Sequence, residues 1–268
     1  MLPAHSPHPN GGTAPSVTPP AVLEQLVEAV CRDVQPAELL VGSDFDGTLA
    51  PIVSMPGSAR ALENSLATLE HLVERGVHVA VVSGRSFEAL RRVVPVPGAT
   101  LLGDYGLEAP TDEEKEALRA FNEKVLAEFV GVEGVVVEPK PGSTSVHYRD
   151  NPAAGDHVYA TLAPLASDLG LHAGIGRLVV EVRPSDADKG LALRRLLERL
   201  RPRAVVFAGD DEGDRSAFEV AASSGLRHLV VGVRSAEVSP TLFDRCDAVI
   251  GGPSDWASVL ARIDGLLT

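Results

Sequence analysis

Apolar residues recur along the chain in two alternating rhythms. Leu23, Leu26, Val27, Val30 and Cys31 follow helical spacing, and the unbroken run Leu39, Leu40, Val41 reads as a buried parallel strand. Helical spacing returns at Leu62, Leu66, Leu69, Leu72 and Val73, and Gly76 stands where a C-terminal cap is expected. Val77 to Val82 forms a second continuous apolar strand, so these segments predict a βαβ unit with a right-handed crossover. Ser86 to Val94 predicts the next helix and Ala99 to Leu102 the next strand, which turns out through Gly103-Asp-Tyr-Gly106.

From about Leu107 the rhythm changes. Leu118, Phe121, Val125 and Phe129 predict a helix, and Val135 to Glu138 and Ser143 to Tyr148 alternate like antiparallel strands. Val158, Leu162, Leu165 and Leu169 predict another helix, followed by a strand from Leu178 to Val182. The parallel rhythm then resumes with a helix from about Lys189, the strands Ala204 to Ala208, Leu229 to Val233 and Ala248 to Ile250, and a last helix carrying Trp256, Val259, Leu260, Ile263 and Leu267. The expected fold class is α/β, a parallel-sheet core interrupted by a small α+β module. Residues 21–106 and 187–268 form the core, 107–186 the inserted module, and 1–20, rich in proline, glycine, serine and histidine, a disordered leader. His5 and His8 fall in that leader and read as tail composition.

Composition narrows the functional classes. At 268 residues, with 44% hydrophobic and 23% charged residues, the chain can bury a large soluble core. A net charge of -13 argues against nucleic acid or an anionic membrane as partner, while leaving room for a local basic pocket. Cys31 and Cys246, far apart, give neither a disulfide framework nor a metal cluster. No run of about 18 apolar residues and no secretory signal occurs, so a cytoplasmic location is expected. Oligomeric state is left open.

The chemistry gathers where strands end. Asp44-Phe-Asp-Gly-Thr48 follows the first strand, and alternation past Phe45 puts Asp44 and Asp46 on one side at its carboxyl end, where open α/β sheets collect ligands. A calcium loop is excluded, because Leu49, Ala50, Pro51, Ile52 and Val53 replace the oxygen ligands it needs. Ser83-Gly84-Arg85 ends the second strand next to a helix N-terminus, where Ser83 is either an N-cap or a phosphate ligand. Gly209-Asp-Asp-Glu-Gly-Asp214 ends a third. Parallel topology brings these ends to one rim. Asp44, Asp46, Asp210, Asp211 and Asp214 crowded there would repel one another, so a hard divalent cation, best Mg²⁺, is expected, with Asp44 and Asp210 as ligands beside a substrate phosphate. Lys189, after Asp186-Ala-Asp188, reads either as a charge opposite that phosphate or as a solvated first-turn residue. Asp44 is then positioned as a nucleophile forming an aspartyl-phosphate, and Asp46 as general acid and base.

Asp44-Phe-Asp-Gly-Thr48, Ser83, Lys189 and Gly209-Asp-Asp211 with Asp214 resemble, in order, the motifs of the haloacid dehalogenase superfamily. Within it, Asp46-Gly-Thr-Leu-Ala-Pro-Ile52, Glu138-Pro-Lys140 followed by His147-Tyr-Arg149, and Glu181-Val-Arg-Pro184 with Lys189-Gly190 resemble the trehalose-6-phosphate phosphatases. The resemblance implies a Rossmann-like core, an inserted cap domain, Mg²⁺, and hydrolysis of a phosphorylated disaccharide, a small-molecule sugar phosphate. It also implies metal ligation by Asp44, Asp210 and the main-chain carbonyl of Asp46, phosphate binding at Ser83, Gly84 and Lys189, and sugar-hydroxyl binding by Glu138, Lys140 and Glu181. Arg85 and Arg149 join the expected substrate contacts, and Asp211 and Asp214 the metal cluster.

Tyr105, Arg177, Gly213 and Arg215 depart from the family pattern, where histidine, lysine, threonine and glutamate are usual. They bear on the substrate more than on the reaction. A related disaccharide or pseudo-disaccharide phosphate, such as validoxylamine A 7′-phosphate, is the nearest alternative substrate, and a silent sugar-phosphate-binding regulator the alternative class. The absence of a Gly-x-x-x-x-Gly-Lys-Ser/Thr signature argues against a P-loop kinase.

Overall fold

A computed structural model describes residues 16–53, 56–106, 111–176, 178–184, 188–234 and 240–267. His5, His8, Arg177, Asp186, the side chain of Tyr105 and the exact module limits at 107, 186 and 187 lie outside the described residues.

The chain enters through Thr18, whose N–H donates to the Val249 carbonyl at 2.8 Å and whose Oγ1 accepts from the Val249 N–H at 2.9 Å. Pairing therefore begins ahead of residue 21. Helix α1 (Pro20–Cys31) leads to β1 (Leu39–Ser43), α2 (Glu63–Glu74), β2 (His78–Val82), α3 (Phe87–Val93) and β3 (Thr100–Leu102). The second layer is α4 (Asp112–Glu128), β4 (Val136–Pro139), β5 (Thr144–His147), α5 (Gly155–Asp168), β6 (His172–Gly176) and β7 (Val179–Arg183). The chain returns with α6 (Lys189–Leu200), β8 (Ala204–Gly209), α7 (Arg215–Ser223), β9 (Arg227–Val233), β10 (Ala248–Ile250) and α8 (Pro253–Leu266).

Six strands form one parallel sheet in the order β10-β9-β8-β1-β2-β3. Its central strands are apolar on both sides because helices cover both. Leu39 and Val41 pack with α1, α2 and α8 on one face, whereas Leu40 packs with α6 and α7 on the other. Period two in a strand turns alternate residues to opposite sides. Trp256, fully buried from α8, fills the first of these layers.

Four strands form a separate antiparallel sheet, β4-β5-β7-β6. Val146, Val180 and Val182 face α4 and α5 and make a core of their own with Phe121, Val125, Val158 and Leu162. The strand β6 is absent from the apolar pattern. His172-Ala-Gly-Ile-Gly176 contains two glycines and no alternation; among the described residues it pairs only with β7, as an edge strand.

Candidate functional site

The site is built where β1, β2 and β8 end side by side. β1 lies between β8 and β2, so Asp44 emerges next to Asp210 on one flank and Ser83 on the other. The ladder runs one residue past each strand: Asp44 N–H donates to the Ala208 carbonyl and Ser83 N–H to the Leu102 carbonyl, both at 2.9 Å. The chain then doubles back within a turn, with Ala50 N–H bonded to the Phe45 carbonyl and Gly47 N–H to the Ala50 carbonyl. Gly47 has φ of 89° and packs so closely on Asp210 that a Cβ would sit 2.1 Å from Asp210 Oδ2. Only glycine meets both demands.

Asp44, Asp210 and Asp214 are buried and offer oxygens within 4.8 Å of one another. Lys189, at the start of α6, is 3% exposed, with Nζ 2.7 Å from Asp44 Oδ1 and 2.8 Å from Asp214 Oδ1. It is thus a buried counter-charge, and the solvated reading falls. Burial alone would lower the Lys189 pKa, but Asp214, Asp44 and Asp211 raise it well above its ordinary value. Asp214 Oδ2 accepts the N–H groups of Asp210 and Asp211 at 3.0 and 3.2 Å, which fixes the loop after β8. Both Asp214 oxygens are therefore engaged.

Burial, opposed by Lys189 and aided by Asp211, lifts the Asp44 carboxyl to about 6. Burial and then the charges of Asp44, Asp211 and Asp214 lift Asp210 to about 10. Asp210 Oδ1 and Asp211 Oδ1 are buried without a hydrogen-bond partner among the described residues. An all-oxygen cluster with unpartnered carboxylate oxygens fits a hard divalent cation. Asp46 is different. Its side chain is 42% exposed and ion-paired to Arg85, with Nε 2.6 Å from Oδ2 and Nη2 2.7 Å from Oδ1. The side chain that sequence reasoning grouped with the metal cluster is thus held apart from it.

The helix cap after β2 is Ser86, whose Oγ accepts from the Ala89 N–H at 3.3 Å. Ser83, 2% exposed, instead accepts the Arg85 N–H at 3.2 Å and keeps its own hydroxyl hydrogen to donate. Gly84 follows it in the connection to α3.

In the antiparallel sheet, Glu138, Ser145 and Glu181 share one register rank and one face, opposite the packed valines. Lys140 Nζ lies 3.8 Å from Glu138 Oε2 and 3.7 Å from Glu181 Oε1, while His147 Nε2 lies 2.9 Å from Glu138 Oε2. Ser145 Oγ donates to Glu181 Oε1 at 3.2 Å. These polar residues form one connected cluster, whereas Arg149 stands exposed in the turn after β5, with no polar contact to it among the described residues. Arg215 pairs with Glu212, away from the buried aspartates.

Sequence reasoning missed three contributors. Trp256 Nε1 donates to Ser43 Oγ at 3.1 Å, and Ser43 Oγ donates to the Asp44 carbonyl at 2.7 Å, so α8 braces the strand end from behind. Asp104, after β3, lies within electrostatic reach of Lys140 and Glu181. None has a local signature, because the Trp256–Ser43 bond and the reach of Asp104 to Lys140 and Glu181 both join elements distant in sequence.

A family model described as trehalose-phosphatase matches residues 43–242. The chain is 36% identical over 214 residues to a trehalose-phosphate phosphatase of Mycobacterium avium (strain 104), covering 71% of this chain and 53% of that protein. It therefore spans about half the length of the curated relative it matches. Among solved structures it resembles the Aspergillus fumigatus trehalose-6-phosphate phosphatase, with TM-score 0.64 and 22% identity over 95% of this chain and 99% of that one. It also resembles the C-terminal domain of the Candida albicans trehalose synthase regulatory protein, with TM-score 0.68 and 14% identity over 93% and 99% of the two chains. At those identities the likeness is one of fold.

Proposed function

The chain belongs to the trehalose-phosphatase family, and from that membership we propose that it hydrolyses the phosphate ester of a disaccharide, trehalose 6-phosphate in the first place, through an aspartyl-phosphate on Asp44. The observation that carries the reading is the contrast between two aspartates two residues apart. Asp44 is buried against Lys189, whereas Asp46 is half exposed and steered by Arg85. Two carboxylates in opposed environments suit two roles in one reaction.

In the proposed sequence an Asp44 oxygen attacks phosphorus while Asp46 gives a proton to the departing sugar oxygen. The P–O bond to the sugar breaks and an acyl phosphate forms. Asp46, now a base, takes a proton from the water that attacks phosphorus and returns Asp44 as carboxylate. Lys189 stays between Asp44 and Asp214, offsetting negative charge as the phosphate enters, and the Ser83 hydroxyl with the Gly84 N–H donates to phosphate oxygens. Asp44, Asp210 and the Asp46 carbonyl would hold Mg²⁺, which when bound neutralises phosphate charge. Glu138, Lys140 and Glu181 would bind sugar hydroxyls, with Arg149 available at the rim of that face.

A non-catalytic sugar-phosphate-binding regulator is the competing class. Retention of both Asp44 and Asp46 supports the enzyme, since binding alone requires no nucleophile paired with an acid. The deciding assay is phosphate release from trehalose 6-phosphate, glucose 6-phosphate and a pseudo-disaccharide phosphate, with Mg²⁺ and with a chelator. Chelator-sensitive turnover of trehalose 6-phosphate, lost in Asp44→Asn, is expected. Binding without release would establish the regulator, and preference for another phosphate would move the substrate.

A further inference from the structure

Asp104 closes the turn after β3 with its backbone in the left-handed region, at φ 50°. Aspartate is one of the few non-glycine residues that adopt this conformation, its short polar side chain bonding locally. Its N–H donates to the Arg85 carbonyl at 2.7 Å, and its carboxylate accepts from the Phe87 N–H. One bond runs to the connection between β2 and α3 and the other to the first residue of α3, so Asp104 is fixed against the loop that carries Ser83 and Arg85. Its Oδ1 is buried and has no hydrogen-bond partner among the described residues. Burial holds this carboxyl above its usual range, while Lys140 pulls it down and Glu181 pushes it up through space. Asp104 is therefore the parallel sheet's neighbour to the polar cluster of the antiparallel sheet.

A buried carboxylate oxygen needs a donor. Lys140, the cation of the cluster that acts on Asp104 through space, already lies between Glu138 and Glu181, at 3.8 and 3.7 Å. A sugar ring entering between the two sheets brings hydroxyl donors. We propose that Asp104 is a specificity-determining residue, its Oδ1 accepting a hydrogen bond from a ring hydroxyl of the phosphorylated disaccharide. The inference rests on the phosphatase reading and deepens it: sugar recognition is shared between the two sheets, and phosphates without a sugar ring gain nothing from Asp104.

The test is Asp104→Asn. The amide oxygen retains an acceptor for the Phe87 N–H, while the NH₂ group presents a donor where Oδ1 accepted. Steady-state kinetics with Mg²⁺ are compared on trehalose 6-phosphate and p-nitrophenyl phosphate, with thermal melting as the check on folding. The ratio of the two kcat/KM values is expected to shift against trehalose 6-phosphate by about tenfold, mainly through KM. Equal loss on both substrates would overturn the inference, because it would mean that Asp104 acts only through the loop it ties. Parent-level kcat/KM on both substrates would overturn it too, leaving the phosphatase reading intact. A parent protein that cleaves p-nitrophenyl phosphate but not trehalose 6-phosphate would overturn the substrate reading and the inference together.

Discussion

Arg85 grips Asp46 by both carboxylate oxygens, at 2.6 and 2.7 Å, while its guanidinium carbon stands 5.0 Å from the centre of the Phe45 ring. The residue between the two aspartates thus positions the arginine that orients the second of them. A planar fork stacked on an aromatic face fixes direction as well as charge, which an ammonium cannot do.

Arg85→Lys therefore keeps the charge and loses the aim. We expect kcat to fall by about tenfold to a hundredfold, as small misplacements of catalytic groups do. The pair is partly exposed, so the melting temperature should move by about 2–4 °C at most. Parent-level kcat in this variant would remove Arg85 from the orientation of Asp46.

Gly47→Ala tests the close approach of two loops. The added Cβ meets Asp210 and the backbone must hold φ at 89°. Strain of roughly 1–2 kcal/mol is expected from the backbone alone. Phosphate release should vanish while circular dichroism still reports a folded chain; a fully active variant would show that Asp210 can move away without consequence.

Lys189→Met leaves two carboxylates buried without their shared cation. Removing one partner of a buried ion pair costs about 3–5 kcal/mol, so denaturant unfolding should shift strongly and turnover should be lost. A variant as stable as the parent would mean that Asp44 and Asp214 are already protonated in the native protein.

The raised carboxyls make a signed prediction for pH. The native state holds protons on Asp44 up to about 6 and on Asp210 up to about 10, whereas the unfolded chain releases them near 3.8. Between those values the native state binds more protons, so each contribution to stability is full below about 3.8 and is lost as pH rises through the folded value. Chelated protein should accordingly lose melting temperature from these groups as pH climbs, and Mg²⁺ should restore it most at the alkaline end. Identical melting profiles with and without Mg²⁺ would contradict cation binding at this cluster.

The regular elements were legible because apolar spacing is a local property. The runs at Leu39, Val77 and Ala204 and the helical series at Leu62 and Lys189 lie where the strands and helices form. The strand His172–Gly176 was not, since an edge strand with two glycines carries no period. The cap of α3 was misplaced as one of two readings of Ser83, whereas the side chain that accepts from the first turn is that of Ser86.

The residue types alone determined that Asp44, Asp46, Ser83, Lys189 and Asp210 stand at strand ends or helix starts, because turn chemistry and strand periodicity are written in neighbouring residues. Only the tertiary structure decided what each one meets. Lys189 is buried against Asp44 and Asp214, Asp46 turns to Arg85, and Asp104 reaches the electrostatic range of Lys140 and Glu181. Burial and charge pairing depend on which distant elements pack together, and a linear pattern carries no record of those distances.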